Sequence, residues 1–373
     1  MFPDINRDYA RLLVDYCLSL KSGDRLYLQS TTLAEPLVRE IYRAGLQRGA
    51  NVIYQLDVAE HDRTFYTEAR GDQLYFASPL YRAAMQEFET YLYIRAPFNL
   101  REDHDLPADK KKRRGEAMQP YVQTYFARTG SGEMRRSLCQ YPTAASAQEA
   151  GLSLSEYRDF VHRACKLDRP DPAAAWRELS RRQQSVVDHL NSCTEFTYRN
   201  ARTDITFRTR GRRWINSDGQ TNMPSGEVYT SPEEDSAEGH VHFDYPAIRG
   251  GSEVRGVTLE VKAGEIVSWQ AEQGQEVLDE VFDIPGTRRF GEAAIGTNYG
   301  IDRFTKNILF DEKIGGTFHM AIGQSYAQAG GKNQSAVHWD MIADMKAGGE
   351  ILADGRAIYR DGYFTIADLA GKQ

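Results

Sequence analysis

Histidine and carboxylate side chains carry most of the metal chemistry available to a protein, and here they gather in the C-terminal half. Of eight histidines, four, His240, His242, His319 and His338, lie beyond residue 191. The segment Val337-His338-Trp339-Asp340 sets an imidazole and a carboxylate two residues apart. On an extended strand both would project from one face. A neutral imidazole and an ionised carboxylate converging in this way suit zinc, cobalt or manganese. An H-x-D pair alone is weak, since most are ordinary polar pairs, but its neighbours strengthen it. His319 interrupts the apolar stretch Gly315–Gly323 (GGTFHMAIG), where an imidazole needs a partner. Glu227 in SGEVYTSP and Glu292 in GEAAIGTN each follow a glycine and precede small or apolar residues, unlike solvated charges. A buried carboxylate requires a cation or strong donors. One metal site shared by these residues is the economical reading.

The elements that must position them fall into two textures. In the first half, Tyr9, Leu12, Leu13, Tyr16, Cys17 and Leu20 recur at helical spacing, and Leu33–Arg48 reads as a helix ending at Gly49. Arg25–Gln29, Val52–Leu56 and Tyr91–Ala96 read as strands between helices, which predicts right-handed crossovers and a largely parallel sheet. Helices over Leu154–Cys165 and Pro172–Cys193 close this part. From about Ser192 the pattern alternates: Glu195–Arg199, Asp204–Thr209 and Val257–Val261 are strands punctuated by turns at Ala263-Gly264, Asp354-Gly355 and Asp361-Gly362. The expectation is an α/β domain over residues 1–191, followed by an antiparallel-sheet-rich α+β domain over 192–373 that carries the chemistry.

Length supports two domains, because single cores rarely grow past ~250–300 residues, and this chain has 373. A net charge of −7 argues against a general nucleic-acid binder and against adsorption to an anionic membrane. The basic run Lys110–Arg114 reads as a solvated helix face beside acidic neighbours. Cys17, Cys139, Cys165 and Cys193 are scattered without a C-x-x-C pair, as expected of reduced thiols in the cytoplasm. Neither a secretory leader nor an apolar run of ~18 residues is visible.

Several long motifs carry a resemblance across nearly the whole chain: YARLLVDYCLSLKSGDRLYLQS, GEVYTSPEEDS, GEAAIGTN, ILFDEKIGGTFHMAIGQSY and GGKNQSAVHWDM. Together, and in this order, they resemble the dinuclear metalloaminopeptidase family typified by aminopeptidases T and S, first associated with thermophiles. The resemblance implies two divalent metal ions held by Glu227, Glu292, His319, His338 and Asp340, with Tyr326 of GQSY as a catalytic tyrosine. It also implies peptide substrates with a free N-terminus and a homodimer. It gives His240 and His242 no role, so these are read as structural. Glu312 stays open between an orienting partner and a salt-bridged surface acid.

In the implied mechanism Glu292 bridges two metals that activate a water, and Tyr326 hydrogen-bonds the tetrahedral oxyanion. Two alternatives stand beside it. A ring-cleaving dioxygenase of similar fold would use one iron on His319, His338 and Asp340, leaving Glu227 and Glu292 unexplained. A non-catalytic metal-binding protein would close its coordination shell.

Overall fold

The computed structural model describes residues 5–366 apart from residue 103. The chain divides into two compact units, one of residues 1–173 with 219–224, the other of residues 174–218 with 225–373. Among the described residues no helix is long and apolar enough to cross a membrane.

The first unit is built on a five-stranded parallel sheet in the order Asn51–Asp57, Arg25–Thr31, Thr90–Arg95, Arg135–Gln140, Asn222–Met223. Three of these strands lie where the alternation of helical and strand patterns predicts them. Arg135–Gln140 (RRSLCQ) is not legible from its apolar pattern, because four of its six residues are charged or polar. The helix Glu35–Gln47 buries Leu37, Val38 and Ile41 on one face, while Leu154–Ala164 opens on a Ser153–Glu156 capping box. The basic run rides on the helix Ala108–Ser131, none of whose residues is buried. Its cations are engaged locally: Lys110 donates to the Thr67 carbonyl, Arg114 to the Phe76 carbonyl, and Arg113 lies 3.8 Å from Asp109.

The second unit stacks two antiparallel sheets. One has eight strands, ordered Glu265–Gln270, Val257–Lys262, Glu238–Phe243, Thr203–Arg208, Glu195–Asn200, Glu350–Ala353, Arg356–Arg360, Tyr363–Phe364. The other has five, ordered His338–Asp344, Thr317–Gly323, Phe290–Gly296, Glu227–Thr230, Ile215–Ser217. Inner faces of both contribute to one apolar core, where Phe318 meets Tyr198 at 4.8 Å between ring centroids and Phe243 at 6.4 Å. The expected hairpin at Ala263-Gly264 forms, with both residues at positive φ (48° and 77°). A side chain at 264 would meet the Glu234 carbonyl oxygen 1.9 Å away, so only glycine fits.

Candidate metal centre

Four strands of the five-stranded sheet deliver all five candidate ligands to one face. Along Thr317–Gly323, Phe318, Met320 and Ile322 fill the core, which turns His319 and Ala321 to the opposite side. Trp339, Met341 and Ala343 do the same for His338 and Asp340, and Val228 for Glu227. Across the ladders each candidate faces a small residue: Glu227 faces Gly296, Glu292 and Asp340 both flank Ala321, His319 faces Ala294, and His338 faces Gly323. Alanine and glycine at these positions leave the space that the longer polar side chains enter.

Glu292 reaches this face only through a β-bulge. Phe290 pairs with Ile322 in the core, yet Glu292 pairs with Ala321, so Gly291 is the extra residue. Were Phe290-Gly291-Glu292 a regular strand, alternation would put Glu292 on the same side as Phe290, inside the apolar core. A Cβ at 291 would lie 2.3 Å from the Gln324 carbonyl oxygen and 2.6 Å from that of Gly323. Gly291→Ala is therefore expected to destabilise the fold by about 1–3 kcal/mol, and to weaken metal binding as Glu292 shifts. Thermal melts together with metal titration check this. Unchanged metal affinity would refute the bulge's part in aiming Glu292.

The rest of the frame is equally specific. Gln183 on the helix Pro172–Asn191 donates to the Glu227 and Ser217 carbonyls and accepts from Thr297, tying the ends of both glutamate strands. Asn298 donates to the Ser225 carbonyl, and Gly226 packs against its backbone.

The cluster is tight. His338 Nε2 lies 3.1 Å from Glu292 Oε2 and 3.4 Å from Asp340 Oδ1. His319 Nε2 lies 3.5 Å from Glu227 Oε2 and 3.8 Å from Glu292 Oε1. Glu292 thus turns one oxygen towards each imidazole. His338 Nδ1 is 2.8 Å from the Gln324 carbonyl, a contact that makes Nδ1 the protonated nitrogen and frees the Nε2 lone pair. Without metal, burial opposes the charge on both imidazoles, but the surrounding carboxylates outweigh it. His338, beside Asp340 and Glu292, is raised to about 12, and His319, beside Glu292 and Glu227, to about 9. Burial raises Asp340 too, but His338 overrides it and holds it at about 2.

Glu292–His338–Asp340 and Glu312–His319–Asp340 each present ligand atoms within 4.8 Å of one another. Glu312, left open by the sequence, therefore lies in the cluster, and so does Lys313, whose fully buried ammonium contacts Glu312 and lies 3.6 Å from Glu227 Oε1. Lys313 was not singled out from the sequence, and Glu312 was weighed only as an orienting partner or a surface acid. Tyr326 stands at the rim, its ring 4.9 Å from that of His338 and 5.5 Å from that of Tyr229. His240 and His242 lie on the other sheet, where the His242 ring pairs with Thr258.

The donor set fits a metal on an observation of its own. Glu227 Oε2, both ring nitrogens of His319, His338 Nε2 and Asp340 Oδ1 are buried without a hydrogen-bond partner. Leaving so many buried polar atoms unsatisfied costs several kcal/mol in total, unless cations occupy the space between them.

Comparison with known proteins agrees. Aminopeptidase 2 of Geobacillus stearothermophilus is 28% identical, with 96% of this chain and 97% of that protein covered. Aminopeptidase PepS of Streptococcus thermophilus is 28% identical, covering 91% and 92%. Aminopeptidase T of Thermus thermophilus is 30% identical over 56% of each chain. The solved structure "Wild-type AmpT from Thermus thermophilus" shares the fold, with a TM-score of 0.83 over 98% of this chain and all of that one, at 23% identity. Residues 4–364 match the thermophilic metalloprotease model (M29), and the chain belongs to that family.

Proposed function

We propose that Glu227, Glu292, His319, His338 and Asp340 would hold two divalent ions (zinc, cobalt or manganese), with Glu292, which turns one oxygen towards each imidazole, available to both. The chain is a metal-dependent aminopeptidase acting on peptides. The observation that carries the two-ion reading is the convergence of unpartnered buried donors on either side of the Glu292 carboxylate. Bound ions of this kind lower the pKa of a shared water and polarise the scissile carbonyl.

The chain's own residues do the rest. His338 is oriented by the Gln324 carbonyl, and Glu227 by the strand register and by Lys313. The Tyr326 phenol at the rim of the cluster is protonated at neutral pH by the ordinary acidity of a tyrosine. It serves as a hydrogen-bond donor to the oxyanion and keeps its proton. An ion held by Glu227, Glu292, His319, His338 and Asp340 would also take the free α-amine of a peptide as a ligand, which would register the chain end. A homodimer and a cytoplasmic setting complete the reading.

Elemental analysis of reconstituted protein tests the ion count, with two equivalents per chain expected. One equivalent would favour a mononuclear site and overturn the bridging role of Glu292. Tyr326→Phe removes only the hydroxyl, so kcat is expected to fall about 10²–10³-fold, with KM and metal content nearly unchanged. Near-normal kcat would remove Tyr326 from the mechanism.

A further inference from the structure

Lys313 is a fully buried lysine beside the metal centre, and lysine is almost never fully buried unless its charge is paired, here with Glu312 and Glu227. Its backbone is pinned from both sides. The Lys313 carbonyl accepts from Asn298 N–H at 3.0 Å, and Ile314 bridges to Asn298 in parallel register. Gly296 packs against the same segment, because a Cβ there would meet the Ile314 carbonyl oxygen at 2.2 Å. The ammonium therefore has a set position. It contacts Glu312 Oε1 and lies 3.6 Å from Glu227 Oε1, while Glu227 Oε2 has no hydrogen-bond partner and faces His319 at 3.5 Å.

Glu312 needs such a restraint. Its carboxylate is mostly buried, and one of its oxygens lies within 4.8 Å of both a His319 nitrogen and an Asp340 oxygen. Nothing in that spacing prevents it from acting as a sixth protein ligand. A sixth ligand would close a position that a hydrolase must leave open for water and substrate.

We propose that Lys313 is a positioning residue that holds Glu312 off the metals, keeping the centre open. It does so by pairing with the Glu312 carboxylate, and it holds one oxygen of Glu227 while leaving the other for an ion. This rests on the metal-binding reading of the same residues.

The two roles open to Lys313 differ in sign. If it is only a buried strut, Lys313→Met weakens both metal binding and turnover. If it restrains Glu312, the same change frees a carboxylate and removes a repelling cation. Cobalt or manganese titrated calorimetrically into metal-stripped Lys313→Met should then bind about tenfold more tightly than to wild type. The metal-loaded variant should lose kcat by about 10–100-fold, with its ion count unchanged. Adding Glu312→Gln should return affinity to near the wild-type value and recover most of kcat, because a neutral amide is a poor ligand. Weaker binding in Lys313→Met, or no recovery in the double variant, overturns the proposal. Should the single variant not fold, the double variant decides: near wild-type affinity and ion count support the restraint, and loss of metal refutes it. Wild type titrated alongside separates the two levels, since absence of ions there would fail the metal-centre reading itself.

Discussion

Stripping the enzyme with a strong chelator is expected to lower peptide hydrolysis by about 10³-fold or more, and zinc, cobalt or manganese should restore it. The size follows from the several kcal/mol of transition-state stabilisation a divalent ion supplies, at about 1.4 kcal/mol for each factor of ten. The residues left behind have no substitute for it. His338 and His319 without metal are held protonated by Asp340, Glu292 and Glu227, so they no longer offer free lone pairs. The fold should feel the loss as well, because an ion that binds only the native state stabilises it by mass action. The melting temperature of stripped protein is therefore expected to rise with added metal, in a concentration-dependent way. Hydrolysis that persists unchanged in protein shown by elemental analysis to be metal-free would refute metal dependence. His338→Ala and Glu227→Ala should each weaken metal binding, and neither is expected to be rescued by higher peptide concentration.

Acetylating the N-terminus of a good peptide substrate should remove nearly all of its turnover, by about 10³-fold or more, on the scale seen when a site built around one polar group meets a substrate lacking it. The free α-amine would register the chain end by ligating one of the ions that Glu227, Glu292, His319, His338 and Asp340 hold. Acetylation delocalises the nitrogen lone pair into an amide and adds bulk where the anchor must sit. Mass spectrometry of the unblocked peptide should show residues leaving one at a time from the same end. Efficient turnover of the blocked peptide, or cuts within it, would contradict chain-end registration.

Much of this protein was legible from residue types and order. The alternation of strands and helices before residue 173, the alternating runs after 192, and the Asp-Gly and Ala-Gly turns each follow from local rules. Side-chain period and backbone freedom act within a few residues. The anomalous settings of Glu227, Glu292, His319, His338 and Asp340 were visible for the same reason, since a polar group amid glycine and apolar residues is locally out of place.

Tertiary structure decided what depends on register. Only pairing across strands shows that every candidate ligand faces a glycine or alanine. The bulge at Gly291 reverses the side to which Glu292 points, and no local pattern announces it, because the extra residue exists only relative to the partner strand. Glu312 and Lys313 illustrate the same limit. In sequence they are a charged pair before a turn, and charge normally implies solvent. Their backbone is tied to Asn298 and Gly296 at the end of a different strand, and the approach of Lys313 to Glu227 joins segments far apart in the chain. Local chemistry selected the residues, and long-range register determined which of their atoms meet.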